Sequence, residues 1–413
     1  MLKKLFYILL ILYPFLVIFP LRDDTNNSFV FITALWGVLM YFIYFITLYV
    51  KIISDEKNTI NIFDISALLL ACTIVTSIAF SDDIVPFKFY AASKIILPYL
   101  VCSTFLVIYK PNDNLLRITF KLLKISLMIF FVLCIYKLSL IGFDIINIAS
   151  YRDELWQGRE HPVAFMYMGI IFSFFALSEY YSKNRLIKYI LILPVFFIGV
   201  RSVFFGALIF IAYFAVISKF KKRLLILSTV IFGLSLVVFL EYSNSLEIDQ
   251  QNSVMQFLSS ESDIQKLERG DEIDLNSFSS GRIEILDYYI SKITTKSLIT
   301  GDGMSYYEST SDKPFQLHND FFEYFFIYGI LGLIVYLYSF YYNILIRYYK
   351  IVTRKKFRII AFSIILYCII VGYATGIDST YIIYTIIPLI IMGKIENYNE
   401  LLNLQTNNNK ANE

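Results

Sequence analysis

Twelve stretches of this chain are apolar, nearly free of charge and about long enough to cross a bilayer. They lie at about 5–21, 28–50, 64–80, 87–109, 118–142, 162–180, 186–200, 202–218, 224–241, 318–346, 359–377 and 379–394. A helix needs about 20 apolar residues to span the hydrocarbon core. Inside that core every backbone polar group must be satisfied within the protein, so spans of this length are expected to be helices. Composition agrees: 58% of the 413 residues are hydrophobic and only 17% are charged, against about 25% charged in a soluble domain. The fold class expected is therefore all-α, a polytopic integral membrane protein with about twelve transmembrane helices. A soluble enzyme, a disulfide scaffold and a disordered chain are excluded.

Basic residues orient the spans, because cytoplasmic connections carry the excess of Lys and Arg. Lys3 and Lys4 place the N-terminus inside. The first apolar run lacks a small-residue cleavage site before Arg22-Asp23-Asp24, so it reads as a helix and not as a signal peptide. Even-numbered connections then hold the cations, among them Lys51, Lys110, Arg117, Lys183, Arg185, Lys219 to Arg223, and Arg347 to Arg358. Residues 189–218 are interrupted by a single charge, Arg201. As one helix they would be about 45 Å long, against a core of about 30 Å. Two short helices meeting at Arg201 are expected instead, with Arg201 at the outer side.

The expected organisation is four parts: 1–241 with nine spans, 242–317 as a large outer loop, 318–394 with three more spans, and 395–413 as a polar cytoplasmic tail without order. The loop holds 13 acidic and 6 basic residues. Ile283, Leu286, Ile290 and Ile293 recur at steps of three and four, which predicts an amphipathic helix at about 281–297. Cys72, Cys102, Cys134 and Cys368 all fall in apolar runs without paired spacing, so neither a disulfide nor a metal site is expected. Only two histidines are present, which argues against a zinc site.

Several polar residues stand out. Arg282 opens the predicted loop helix, where a guanidinium opposes the helix dipole unless an anion docks there; a solvated pair with Glu284 or Asp287 is the plain alternative. Arg201, flanked by apolar runs on both sides, is functional by default, or snorkels to the outer headgroups. His318 begins the tenth span at the outer face and has the chemistry of a general base; a helix cap supplied by His318, Asn319 or Asp320 fits equally. Arg152 and Arg159 lie in the outer loop 143–161 among mixed charges, as phosphate contacts or as a solvated loop.

Three of these elements resemble the signatures of one family. His318-Asn319, nine residues, Gly329, two residues and Gly332 resembles the His-Asn-x9-Gly-x2-Gly signature of the O-antigen polymerase and ligase superfamily. Arg282-Ile283-Glu284-Ile285-Leu286 resembles its Arg-x3-Leu element. Gly199-Val200-Arg201-Ser202 resembles its small-residue/arginine turn, with Val where Ser or Thr is commoner. The resemblance implies a GT-C-like membrane glycosyltransferase of the bacterial cytoplasmic (inner) membrane, with its site facing the periplasm. The donor would be an undecaprenyl-pyrophosphate-linked glycan and the acceptor another glycan or lipid A-core. Membrane lipids, a flippase and a chain-length regulator are the implied partners; nucleic acid is not. No cofactor and no metal is expected. The implied roles are His318, Arg282 and Arg201 in catalysis, and Arg152, Arg159 and Asn319 in substrate binding. Polymerase is the preferred reading, with ligase the alternative and a glycolipid transporter the rival from another class.

Overall fold

In a computed structural model the described residues are 2–18, 26–54, 60–80, 86–140, 142, 160–181, 190–198, 200, 203, 206–211, 289–291, 293–301, 319–374 and 382–411. Every regular element among them is helical. In chain order they are α1 (Leu2–Ile18), α2 (Asn26–Ile53), α3 (Ile62–Phe80), α4 (Pro86–Ile108), α5 (Asp113–Leu140), α6 (Glu160–Tyr181) and a 3-10 turn at Leu193–Phe197. After them come α7 (Thr295–Thr300) and α8 (Asp320–Tyr336), which runs on as a π-helix (Leu337–Ile346) into α9 (Arg347–Ile351). The last two are α10 (Lys355–Ala374) and α11 (Ile382–Ala411). By length and composition four helical stretches among the described residues could cross a membrane: Thr33–Ile53, Asp113–Leu140, Val163–Tyr181 and Asp320–Ile351, the last of them broken at Gly329. Ile62–Thr76 and Ile95–Ile108 are shorter apolar helices.

The core is centred on α6, which is buried along nearly its whole length from Val163 to Ser178. It crosses α11 at Gly169, where an added Cβ would come 2.4 Å from the carbonyl oxygen of Tyr384. That carbonyl is the one Pro388, four residues on, leaves without an amide donor. Pro14 does the same to the Leu10 carbonyl in α1, and there the Tyr384 hydroxyl donates at 3.0 Å. A proline in a membrane helix is tolerated when a neighbour re-satisfies the freed carbonyl in this way. At the opposite extreme, α5 shows much of its surface to its surroundings, with Ile125 and Val132 exposed. In lipid such a face carries no penalty.

Polar bonds concentrate at the basic end of the bundle. Asn61 caps α3, and Asp64 returns the bond to the Asn61 amide at 2.8 Å, in the manner of a capping box. Asp64 also accepts from Tyr44 of α2 (3.0 Å) and Ser103 of α4 (2.6 Å), which ties three helices together. Lys356 pairs with Glu179 at 2.7 Å. Buried Glu396 accepts from the Arg354 amide and the Thr353 hydroxyl, both at 3.0 Å. This fastening holds α11 where it leaves the core, and the helix runs on to Ala411, past residue 395 where an unordered tail was expected. The amphipathic helix expected at about 281–297 also ends differently. Thr294 is extended (φ −104°, ψ 166°) and caps a new helix, α7, through a capping box with Ser297.

The largest departure from the sequence pattern is the tenth apolar run. It reads as a single span, yet its chain folds back on itself at Gly329 (φ 69°, ψ −170°). Tyr324 stacks on Tyr336 with ring centroids 3.9 Å apart, and Asp320 meets the Tyr336 hydroxyl at 3.1 Å. In a straight helix those pairs would be about 18 and 24 Å apart along the axis. Residues 320–328 are therefore a half-helix laid against the helix that begins at 330. Gly329 occupies a region of backbone space open essentially to glycine alone, and its Cβ would sit 2.2 Å from the carbonyl oxygen of Ile299.

Gly329→Ala is expected to destabilise the folded protein by at least the roughly 1–3 kcal/mol of backbone strain, and the clash adds to that. Thermal unfolding of the purified variant in detergent checks this, with Gly142→Ala as control, because a Cβ at Gly142 meets nothing within 4 Å although φ there is also positive.

Candidate functional site

The hairpin at Gly329 is where the described residues come closest to the sequence-predicted site. Asn319 is buried, in extended conformation (φ −141°, ψ 112°), and its side-chain oxygen accepts the Phe322 amide at 3.2 Å. It is the N-cap of the half-helix, as short polar side chains at such positions are. Of the alternatives read from the sequence, the cap is therefore Asn319. His318 precedes it by one residue and lies outside the described residues, as do Arg201, Arg282, Arg152 and Arg159.

Asp320 follows the cap and is 5% exposed. A carboxylate inside an apolar bundle is costly and calls for partners. Besides the Tyr336 hydroxyl, it faces Gly372 of α10, where a Cβ would come 3.1 Å from both Asp320 Oδ2 and the Tyr341 hydroxyl. Tyr341 in turn donates to the Cys368 carbonyl at 3.3 Å. Tyr99 of α4 lies within electrostatic reach of the same carboxylate. Gly372 thus leaves room for a polar cluster of one carboxylate and several phenols beside the N-cap Asn319. Sequence reading treated Asp320 only as a possible cap. Its burial follows from the fold-back, which no periodicity reports.

The described part of the segment 242–317, residues 289–291 and 293–301, is fastened to this hairpin. Gly301 (φ 75°, ψ 176°) lies as close to the Ile327 carbonyl as Gly329 lies to that of Ile299: an added Cβ on either would come within 2.2 Å. Two backbones crossing this closely exclude side chains from both contact points. Tyr289, buried, adds a ring contact with Phe326 at 5.1 Å. The chain just after the Arg-x3-Leu element is thereby held against the half-helix just after His-Asn. At Gly332, the last residue of that motif, an added Cβ would come 2.0 Å from the Tyr328 Cβ, so its bare backbone lets the half-helix close on the helix after Gly329; Thr73 of α3 lies 3.3 Å from the same point. The 3-10 turn at Leu193–Phe197, close before Arg201, is held to α6 by the Tyr167 hydroxyl, which donates to the Leu191 carbonyl.

Residues 186–337 match the family model described as O-antigen ligase. This places the segment in the O-antigen polymerase and ligase superfamily. The matched segment holds the Arg201 turn, the Arg-x3-Leu element and the His-Asn-x9-Gly-x2-Gly signature in order. No curated protein matches the chain. The superfamily implies a membrane glycosyltransferase or ligase type of activity, with lipid-linked glycans as substrates and acceptors. In this O-antigen ligase-like segment, the two motif glycines serve the backbone fold-back (Gly329) and the close approach of Tyr328 within it (Gly332), and Asn319 serves as its cap.

Tyr336→Phe is expected to cost about 1–3 kcal/mol of stability, since it leaves a buried carboxylate short of a donor. Asp320→Asn combined with Tyr336→Phe is expected to cost less than the sum of the two single changes. A double-mutant cycle on detergent unfolding measures this, with coupling above about 0.5 kcal/mol expected for residues in contact.

Proposed function

We propose that the protein is a polymerase that joins polyprenyl-pyrophosphate-linked oligosaccharide repeat units, with undecaprenyl pyrophosphate as the carrier, at the outer face of the bacterial cytoplasmic membrane. The observation that carries the reading is the order of three motif elements, Arg201, Arg282 with Leu286, and His318-Asn319 with Gly329 and Gly332, all inside the matched segment 186–337. The glycine crossing supports it, because it draws the end of the loop bearing Arg282 onto the hairpin that His318 precedes.

In the proposed reaction His318 takes the proton from an acceptor hydroxyl. The hydroxyl oxygen attacks the anomeric carbon of the donor sugar from the face opposite the leaving group. The bond from that carbon to the pyrophosphate oxygen breaks with inversion, and the pyrophosphate leaves with the electron pair. Arg201 and Arg282 hold the pyrophosphate and stabilise the charge that develops on it. Arg152 and Arg159 make further phosphate contacts, and Asn319 contributes to substrate binding from its capping position. A flippase delivering the donor and a chain-length regulator are the partners this reaction calls for.

The ligase reading, transfer of finished polymer to lipid A-core, is favoured by one observation, the description of the matching family model. A deletion strain separates the two. Core carrying a single repeat unit, with long chains gone, is the expected result. Bare core with long lipid-linked polymer accumulating would assign the ligase reaction instead. With purified protein and a lipid-linked donor, Arg201→Ala and Arg282→Ala should each remove product while leaving the protein in the membrane. His318→Ala should slow transfer at least about 10²-fold, the lower end of general-base contributions. Normal turnover in the double arginine variant would overturn the assignment.

A further inference from the structure

At the basic end of the bundle, α1, α4, α5, α6 and α11 enclose a cavity of about 250 Å³. Leu10, Ile118, Leu122, Ile170 and Ile387 form much of its wall. The hydroxyls of Thr119 and Ser173, also in the wall, donate one turn back to the Leu115 and Gly169 carbonyls at 2.8 and 3.0 Å. They therefore ask nothing of an occupant. Ile118 and Leu122 are 45% and 41% exposed, so the cavity opens sideways along α5, onto the surface that lipid would cover.

Two groups in the wall do call for a partner. Tyr7 and Tyr109 both line the cavity, and both hydroxyl oxygens are buried without a hydrogen-bond partner among the described residues. Tyr109 is only 1% exposed. A buried hydroxyl left unpaired costs about 1–3 kcal/mol. Positive charge gathers at the same end. Lys110 follows Tyr109 directly. Lys394, half-buried, stands one helical turn beyond Ile391, which lines the cavity, and meets the like charges of Lys110 and Lys51. Among the described residues no carboxylate forms an ion pair with Lys110 or Lys394. An apolar shaft, two unpaired hydroxyls and a cationic rim, in that order, match an amphiphile with a negative head. Basic pockets between membrane helices bind anionic headgroups for the same reason.

We propose that this cavity binds one phospholipid with an anionic headgroup. Part of an acyl chain occupies the shaft beside α5, ester or phosphate oxygens accept from Tyr7 and Tyr109, and the phosphate lies beside Lys110 and Lys394. The cavity is smaller than a typical site of about 300–1,000 Å³ that encloses a whole small ligand, which suits a chain segment entering from the membrane. The site is separate from the hairpin, and the proposal does not rest on the transfer reaction.

The test is native mass spectrometry of the full-length protein released from discs of phosphatidylcholine mixed with phosphatidylglycerol. The wild type should retain one phosphatidylglycerol in preference to phosphatidylcholine. Leu122→Trp, which fills the shaft from a partly exposed position, should lose the retained lipid. Lys110→Gln with Lys394→Gln should keep the fold and lose about tenfold of the preference for the anionic lipid, the loss expected for one charge-assisted bond. Equal retention of the two lipids by the wild type would overturn the proposal. So would unchanged preference in the double lysine variant, which decides the matter if Leu122→Trp does not fold. Retention of a polyprenyl phosphate in place of the phospholipid would overturn it as well and would assign the cavity to the donor.

Discussion

The crossing of Gly301 over Gly329 is the contact on which the arrangement around the candidate site depends. Each residue has a backbone conformation that side chains other than hydrogen do not tolerate, and each lies against a carbonyl of the other segment. Because both conditions hold at both residues, the contact joins backbone to backbone and has little freedom to slide. One partner ends the helix Thr295–Thr300 and the other turns the hairpin, so that helix cannot move away from the half-helix without losing both turns. Asn319, Asp320 and Tyr289 all make their contacts with the two elements joined at this crossing.

A half-helix inside an apolar bundle exposes helix-terminal amides and carbonyls that lipid cannot satisfy. Here the structure meets that demand with side chains. Asn319 caps the start of residues 320–328, and the tyrosine-rich helix that follows Gly329 supplies both a hydroxyl for Asp320 and a stacking surface for Tyr324. The same logic recurs at Pro14, whose freed Leu10 carbonyl accepts from the Tyr384 hydroxyl. Besides the polar bonds at the basic end, polar groups in this bundle therefore also gather at breaks in its helices. That distribution gives a single principle linking the fold to the place where chemistry is proposed.

Much was legible before any coordinates. Apolar runs free of charge have one physical solution in a bilayer, and the expected helical, membrane-spanning class agrees with the helices observed. The motif spacing pointed to the superfamily that the match at 186–337 supports. The reading faltered where one pattern serves two structures. The mostly apolar run at 318–346 is equally compatible with one tilted span and with a half-helix folded against a longer one. Hydropathy measures how apolar a run is and not its direction. The glycine that decides between the two is visible in the sequence, but its positive φ is not. Likewise, the polar composition after 395 gave no sign that Glu396 would be buried against Thr353 and Arg354 and would carry α11 onward.

The sequence by itself determined that the chain is apolar enough for a membrane protein, that its elements are helices, and which short motifs resemble those of the O-antigen polymerase and ligase superfamily. These follow from composition and spacing, which are local properties. Only the tertiary structure decided that the tenth run folds back, that Asp320 is buried among tyrosines, that Asn319 is a cap, and that Tyr7 and Tyr109 share a cavity near Lys110 and Lys394. Those facts depend on residues distant in the chain meeting at separations of a few ångströms. No local pattern encodes such a meeting, because it is set by how whole helices pack.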